Sequence, residues 1–512
     1  MYLFNVNKYK ASEGNRLCVY DIKGKREYDY IQVTDKKYIR IKDKNVLNNI
    51  LGYKFKFQEE RNGKWLDKQE YFSLVTPSKL GEFWTDKISF DTEELRNHIG
   101  YFINTENNFS KNLLVKSFKN GCKHLWFGHS KSFNNIKKFI HFIEKSPNII
   151  NEEFESIALY YESFYNFQME LQRLKVSHQY YYQLFDEFAC NQELIKFVKS
   201  EISKLQLSNL QISELIIGQY YSLLLEREKA ELHFNNVLES ESTIVDTLRF
   251  KQGLSTYKSL LSYNESLKSN VSYYNEELYL EESRNLTILI SVDPRYLRKY
   301  IPMLYYSMIS LEKYDYHIHV VGENDKTLPA ISEAKQFFNN MKLFISKGVR
   351  VKEPTFSYEE LPSSKVNLKV FSATSRFIIA PEIMKKYNTD LLILDADMFI
   401  IDNLDSYINK ISNNDVVIPF SRSATTMQPW RRVMAGNIYL KNNSKAISFI
   451  SKASEYILKN LEIEDSWTLD QNALTYAFEQ VKNDYTDIKF ANVYEYTRPF
   501  SHPQLRNFIE KN

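Results

Sequence analysis

Residues Asp390–Asp405, DLLILDADMFIIDNLD, constrain the fold more than any other stretch of this chain. Four consecutive aliphatics, Leu391 to Leu394, follow a polar lead-in, Asn388-Thr389-Asp390. An apolar run this short, bounded by polar residues, reads as a strand buried on both faces, the habit of a parallel sheet. The run stops at Asp395-Ala396-Asp397. Two carboxylates one residue apart at the tip of a buried strand can reach one hard cation, Mg²⁺ or Mn²⁺. They leave coordination positions open for water and phosphate oxygens. Holding a diphosphate leaving group in this way serves transfer chemistry. A bare D-x-D also suits a strand-end turn with solvated acids, so the flanking residues decide.

An α/β unit begins near Arg284. Leu286–Ser291 reads as a buried strand, Val292–Tyr296 as the loop at its end, and Lys299–Leu311 as a helix. Strand Tyr316–Val321 closes at Gly322; a helix around Ile331–Met341 and a strand-like Leu343–Ile345 follow. Strands alternating with helices predict a parallel α/β sheet, and ligands of such sheets sit beyond the carboxyl ends of the strands. Asp293, Asp395 and Asp397 all lie at such ends. His317 and His319 fall on one face of a strand, a spacing that suits metal but is expected here to be interior packing.

Four blocks carry a resemblance. Residues 286–308, LTILISVDPRYLRKYIPMLYYSM, and 373–405, with an Arg-bearing helix before the D-x-D strand, resemble the family 8 type of GT-A nucleotide-sugar glycosyltransferases. Met434–Leu440 (MAGNIYL) is similar to that family's small-residue strand, and Asp470-Gln471 to its acidic-Gln helix start. The resemblance covers about 284–502, in family order. It implies a GT-A domain with a Rossmann-like, mostly parallel sheet, and a retaining transfer of sugar from a nucleotide sugar, with UDP the expected nucleotide. Asp395 and Asp397 are then the metal ligands, and in the family the second acid also touches the nucleotide ribose. Asp293 can accept from uracil or ribose, Tyr296 can stack on the base, and the Arg376 guanidinium can clamp a phosphate or sugar oxygen. The resemblance assigns Asp470 and Gln471 to the sugar being transferred, with Ser466 or Thr468 available as the helix cap. It makes His502 the third metal ligand. The chain departs from the family at Pro294-Arg295, at Met434 and in lacking a Lys-Pro-Trp ending.

The rest of the chain is less informative. Residues 1–110 read as a small β-rich domain, with Arg61-Asn62-Gly63-Lys64 a hairpin turn. Residues 111–283 read as mostly helical; side chains around Leu225–Leu238 echo those around Leu171–Leu184, as in repeated helix pairs. This region reads as a spacer or a docking surface. The stretch 111–138 is basic and aromatic without an acid, which suits an anionic surface. Only Cys18, Cys122 and Cys190 occur, without C-x-x-C spacing, so neither a disulfide framework nor a zinc site is indicated. With no signal-like start and no run of about 18 apolar residues, a cytoplasmic location is expected. A net charge of +3 argues for no general nucleic-acid or membrane affinity.

The acceptor is left open among glycan, lipid, protein and modified nucleic acid. Two other readings compete. A haloacid-dehalogenase-like phosphatase also places D-x-D after an apolar strand, but its motif strand comes first in its domain. A helical scaffold with a decayed transferase domain is the other, and the intact acid pairs speak against it.

Overall fold

The computed structural model describes residues 2–5, 15–20, 27–32, 38–41, 54–67, 72–73, 152–176, 180–240, 250–260, 267–274, 286–309, 314–342, 353–398, 400, 403–421, 427–464 and 466–500. The basic stretch 111–138, the strand expected at 343–345 and His502 lie outside the described residues. The chain divides into two compact units, Met1–Met169 and Glu170–Asn512.

In the first unit, β1 (Tyr2–Asn5) pairs with β4 (Tyr38–Ile41). A second antiparallel sheet holds β2 (Arg16–Tyr20), β3 (Glu27–Gln32), β5 (Lys54–Arg61), β6 (Lys64–Asp67) and β7 (Phe72–Ser73). The β5–β6 hairpin turns at Asn62 and Gly63, whose φ values of 55° and 71° are those an Asn-Gly pair accepts. Helix α1 (Glu152–Arg173) follows in the chain.

The second unit is built on an eight-stranded sheet in the order β15-β13-β14-β12-β9-β10-β11-β8. Its central strands are β9 (Leu286–Val292), β10 (Asp315–Val321), β11 (Thr355–Glu359) and β12 (Asp390–Leu394), all parallel. Strands β8 (Ser272–Tyr274) and β14 (Asn437–Leu440) run against them, and β13 (Val416–Ile418) pairs in parallel with β15 (Phe490–Asn492). The chain builds β9, β10 and β11 outward on one side, then crosses back so that β12 lies on the other side of β9. That reversal opens a crevice at the carboxyl ends of β9 and β12.

Strand alternation sorts the core into two layers. Leu289, Leu391 and Ile393 face a cluster shared with α2 (Tyr181–Cys190), α9 (Leu368–Tyr387), α11 (Ser444–Asn460) and α12 (Leu469–Asp484). Ile288, Ile290, Leu392 and Leu394 face α7 (Pro294–Ile309), α8 (Asn324–Lys342) and α10 (Leu404–Ile411). His317 and His319 are buried among strand neighbours. His317 bonds Thr355 and Ser357, and His319 Nδ1 meets Ser357 Oγ at 2.8 Å. Burial holds His317 well below the usual imidazole range.

The helices α3 (Gln192–Leu205), α4 (Gln211–Leu223), α5 (Arg227–Glu239) and α6 (Lys251–Ser255) belong to the same unit. They pack against the segment between β13 and β14. Trp430 is packed by Phe234 and Phe250 and lies against Gly253, so close that a Cβ there would fall 2.3 Å from the ring.

Candidate functional site

A cavity of about 470 Å³ opens at the carboxyl ends of β9 and β12. Asp293, Tyr296, Arg376, Asp395, Asp397, Asp470 and Gln471 all line it. The crevice at the crossover between β9 and β12 therefore gathers these residues from four separate segments of sequence.

Asp293 and Tyr296 differ from the sequence reading in one respect. Helix α7 begins at Pro294, so Pro294–Tyr296 is its first turn rather than a loop. Proline without an N–H suits that first position. Asp293 caps the turn by accepting from the Tyr296 amide at 2.8 Å. The Tyr296 ring, 39% exposed, stays available at the mouth of the cavity.

Arg376 reaches the cavity from the middle of α9, a helix buried almost all round and capped by Asn367, whose side chain accepts from Lys369 and Val370. The guanidinium is spent on protein groups. Nη1 lies 2.5 Å from Asp395 Oδ1, and Nη2 donates to the Ala435 carbonyl at 2.9 Å. Its buried Nε has no partner. The other carboxylate oxygen, Oδ2, faces Gly436, where an added Cβ would sit 3.2 Å away.

Asp470 is buried in the first turn of α12, and its Oδ1 accepts from the Gln471 amide at 2.8 Å. Burial pushes its carboxyl from the ordinary 3.8 up to about 6; the Arg376 charge opposes the rise and the Asp395 charge adds to it. Neither expected hydroxyl caps this helix. Thr468 holds the cap position, but its hydroxyl donates to the Gln252 carbonyl at 3.0 Å, and Ser466 Oγ is buried without a partner.

The acids suit a hard cation in type and spacing. Asp395 and Asp397 offer carboxylate oxygens, and Gly436 leaves room beside Oδ2. Among the described residues no group of three His, Cys, Asp or Glu side chains could enclose a metal ion. Such a pair fits a cation that takes its remaining ligands from water and substrate phosphate.

Sequence reasoning missed part of the lining. Lys369, Ser372, Asn437, Trp467, Tyr494 and Arg498 also face the cavity. Lys369 and Ser372 lie seven and four residues before Arg376, a helical spacing that puts all three on one face. Tyr494 and Arg498 arrive with the segment after β15, which an isolated bridge between Ile400 and Phe500 ties to the chain beyond Asp397.

No family model matches the chain, and no curated protein matches it. Solved structures that are similar include a galactosyltransferase, LgtC, in complex with donor and acceptor sugar analogues. It is 12% identical with a TM-score of 0.27, over 41% of this chain and 72% of that one. The apo structure of the bifunctional glycosyltransferase WbbM is 14% identical with a TM-score of 0.25, over 41% of this chain and 39% of its own. Apo mouse xyloside xylosyltransferase 1 is 12% identical with a TM-score of 0.24, over 41% of this chain and 84% of its own. All three are glycosyltransferases.

Proposed function

We propose that this chain is a metal-dependent glycosyltransferase of the GT-A type, moving a sugar from a UDP-sugar to a hydroxyl acceptor with retention at the anomeric carbon. The observation that carries the reading is the convergence of Asp293, Arg376, Asp395, Asp397 and Asp470 on one cavity at the crossover point of the sheet. Asp395 and Asp397 would hold Mn²⁺ or Mg²⁺, with His502 as third ligand. The bound cation supplies charge neutralisation for the departing nucleoside diphosphate.

The remaining roles fall to the chain itself. Asp293, with one oxygen spent on its helix cap, offers the other to a ribose or base donor, and Tyr296 offers its ring face to the base. Arg376 fixes the direction of the Asp395 carboxylate and brings positive charge to the floor of the cavity. Asp470 and Gln471 hold the hydroxyls of the sugar being moved. With its carboxyl at about 6, Asp470 is ionised at neutral pH and accepts hydrogen bonds from those hydroxyls.

The test is a nucleotide-sugar screen with Mn²⁺, scored as nucleoside diphosphate released by slow hydrolysis without acceptor. One UDP-sugar is expected to turn over, and Asp397→Asn to abolish that turnover. Unchanged turnover in the variant removes the metal-site assignment. Silence with every nucleotide sugar removes the transferase reading.

A further inference from the structure

One wall of the cavity descends along the starts of α9 and α12. At its floor stand Arg376 and Asp470, both buried. Lys369 lies seven residues earlier on α9, about 10 Å along the helix. Trp467 lies three residues before Asp470. The Lys369 Nζ sits 4.2 Å above the centre of the Trp467 indole, which is 46% exposed, so the pair stands at the mouth above the buried pair.

Two features of this wall point to a ligand. First, Lys369 occupies the first turn of α9, the end of a helix that favours anions, and that turn contains no acid. Among the described residues no carboxylate forms an ion pair with it; its ammonium meets an aromatic face instead. Second, Ser372, between Lys369 and Arg376 on the same face, is buried against the cavity with an Oγ that has no partner. A broad ring, a cation and a spare hydroxyl are thus stacked above the transfer acids. A flat sugar face suits the indole, and a negative substituent suits the ammonium.

We propose that Lys369 and Trp467 form the acceptor subsite and that the acceptor is an anionic saccharide, a sugar carrying a carboxylate or a phosphate. The proposal rests on the transferase reading. The nucleotide is already served by Asp293 and Tyr296, whereas Trp467 stands beside Asp470 and Gln471, where the acceptor hydroxyl arrives. The ring supports the sugar, the ammonium pairs with the anionic group, and the free hydroxyl enters toward Asp470.

The test compares three probes as acceptors for the UDP-sugar found in the screen: a methyl glucoside, the matching glucuronide and a glucose 6-phosphate glycoside. Lys369→Gln is expected to raise KM for the charged probes roughly tenfold and to move KM for the neutral glucoside less than about twofold. Lys369→Arg should restore the preference. The glucuronide and the phosphate, compared with each other, tell which anion is preferred. Trp467→Leu should raise KM for all three. Equal effects of Lys369→Gln on charged and neutral probes overturn the proposal, as does a rise in donor KM measured without acceptor. Both side chains are exposed, so neither substitution opens the core. If no nucleotide sugar turns over, saturation-transfer NMR with the same probes decides the subsite separately. Selective binding of the charged probes, lost in Lys369→Gln, keeps it; indifference to charge ends it.

Discussion

The Arg376 guanidinium lies 2.5 Å from one oxygen of Asp395 while its other amino group donates to the Ala435 carbonyl at 2.9 Å. A single side chain thereby ties α9 to the tip of β12 and to the residues leading into β14. Half the guanidinium's reach aims a carboxylate, and the other half fixes the backbone that borders it. Fork geometry of this kind belongs to arginine rather than lysine.

Replacing Arg376 by methionine should leave Asp395 and Asp470 without their common counter-charge. Because Arg376 opposes the rise of the Asp470 carboxyl, its loss should lift that carboxyl further above about 6. Turnover of the donor should fall about 100-fold or more, and Arg376→Lys should recover little of it. Donor hydrolysis under single-turnover conditions measures this. A loss of less than about threefold would show that aiming Asp395 is not needed for the chemistry.

Gly436→Ala probes the other oxygen of the same carboxylate. A methyl group there meets Asp395 Oδ2 at 3.2 Å and Met398 Cε at 3.4 Å, a squeeze that rotates the carboxylate rather than unfolding the domain. The half-saturating Mn²⁺ concentration for donor hydrolysis is expected to rise roughly tenfold, with the thermal midpoint little changed. Equal metal dependence in wild type and variant would separate Asp395 from the cation.

Asp470 predicts a pH dependence of stability whose sign is unusual for an acid. Its carboxyl is raised from 3.8 to about 6 in the folded protein, chiefly by burial. Folding therefore favours the protonated form. The associated stability is complete below about pH 3.8 and is lost as pH rises through about 6. Asp470→Asn should be more stable than wild type at pH 7 by on the order of 2–3 kcal/mol. The gap should close as pH falls toward 4. Urea unfolding in EDTA, at several pH values, measures the gap; a gap independent of pH would place Asp470 in water.

The parts of this molecule that were legible from sequence share a physical cause. Leu286–Ser291 and Leu391–Leu394 are buried on both faces, so they read as mostly aliphatic runs, and acids at their ends stand out. Asn62-Gly63 reads as a turn because few other pairs accept its φ values. Lys369 and Trp467 carried no such mark. Each is an ordinary surface residue in its own segment, and only the side-by-side packing of α9 and α12 makes them a pair. Ser272–Tyr274 was hidden for a similar reason. It is an edge strand of three residues, placed by its pairing with β11 rather than by any periodicity of its own.

The helices before the sheet are joined to the cavity wall through Glu479. Its side chain, 5% exposed, accepts from Arg432 on Oε1 at 3.1 Å and from Arg227 on Oε2 at 3.0 Å. Tyr181 donates to Oε1 at 2.8 Å, and Arg432 also bonds Ser222 Oγ at 2.7 Å. Two arginines thus depend on one acid, and they come from α5 and from the segment that runs on to Ala435 and Gly436 in the cavity wall. Glu479→Gln leaves both guanidinium groups buried without their carboxylate and should cost about 3–5 kcal/mol. Gly253→Ala drives a methyl group into the Trp430 ring of the same segment and should cost about 1–3 kcal/mol by overpacking. If the helices hold that segment in place, the milder Gly253→Ala variant, still folded at room temperature, should show a higher Mn²⁺ requirement for donor hydrolysis as well as a lower unfolding midpoint. A lower midpoint with an unchanged metal requirement would mean that the helices stabilise the unit without shaping its site.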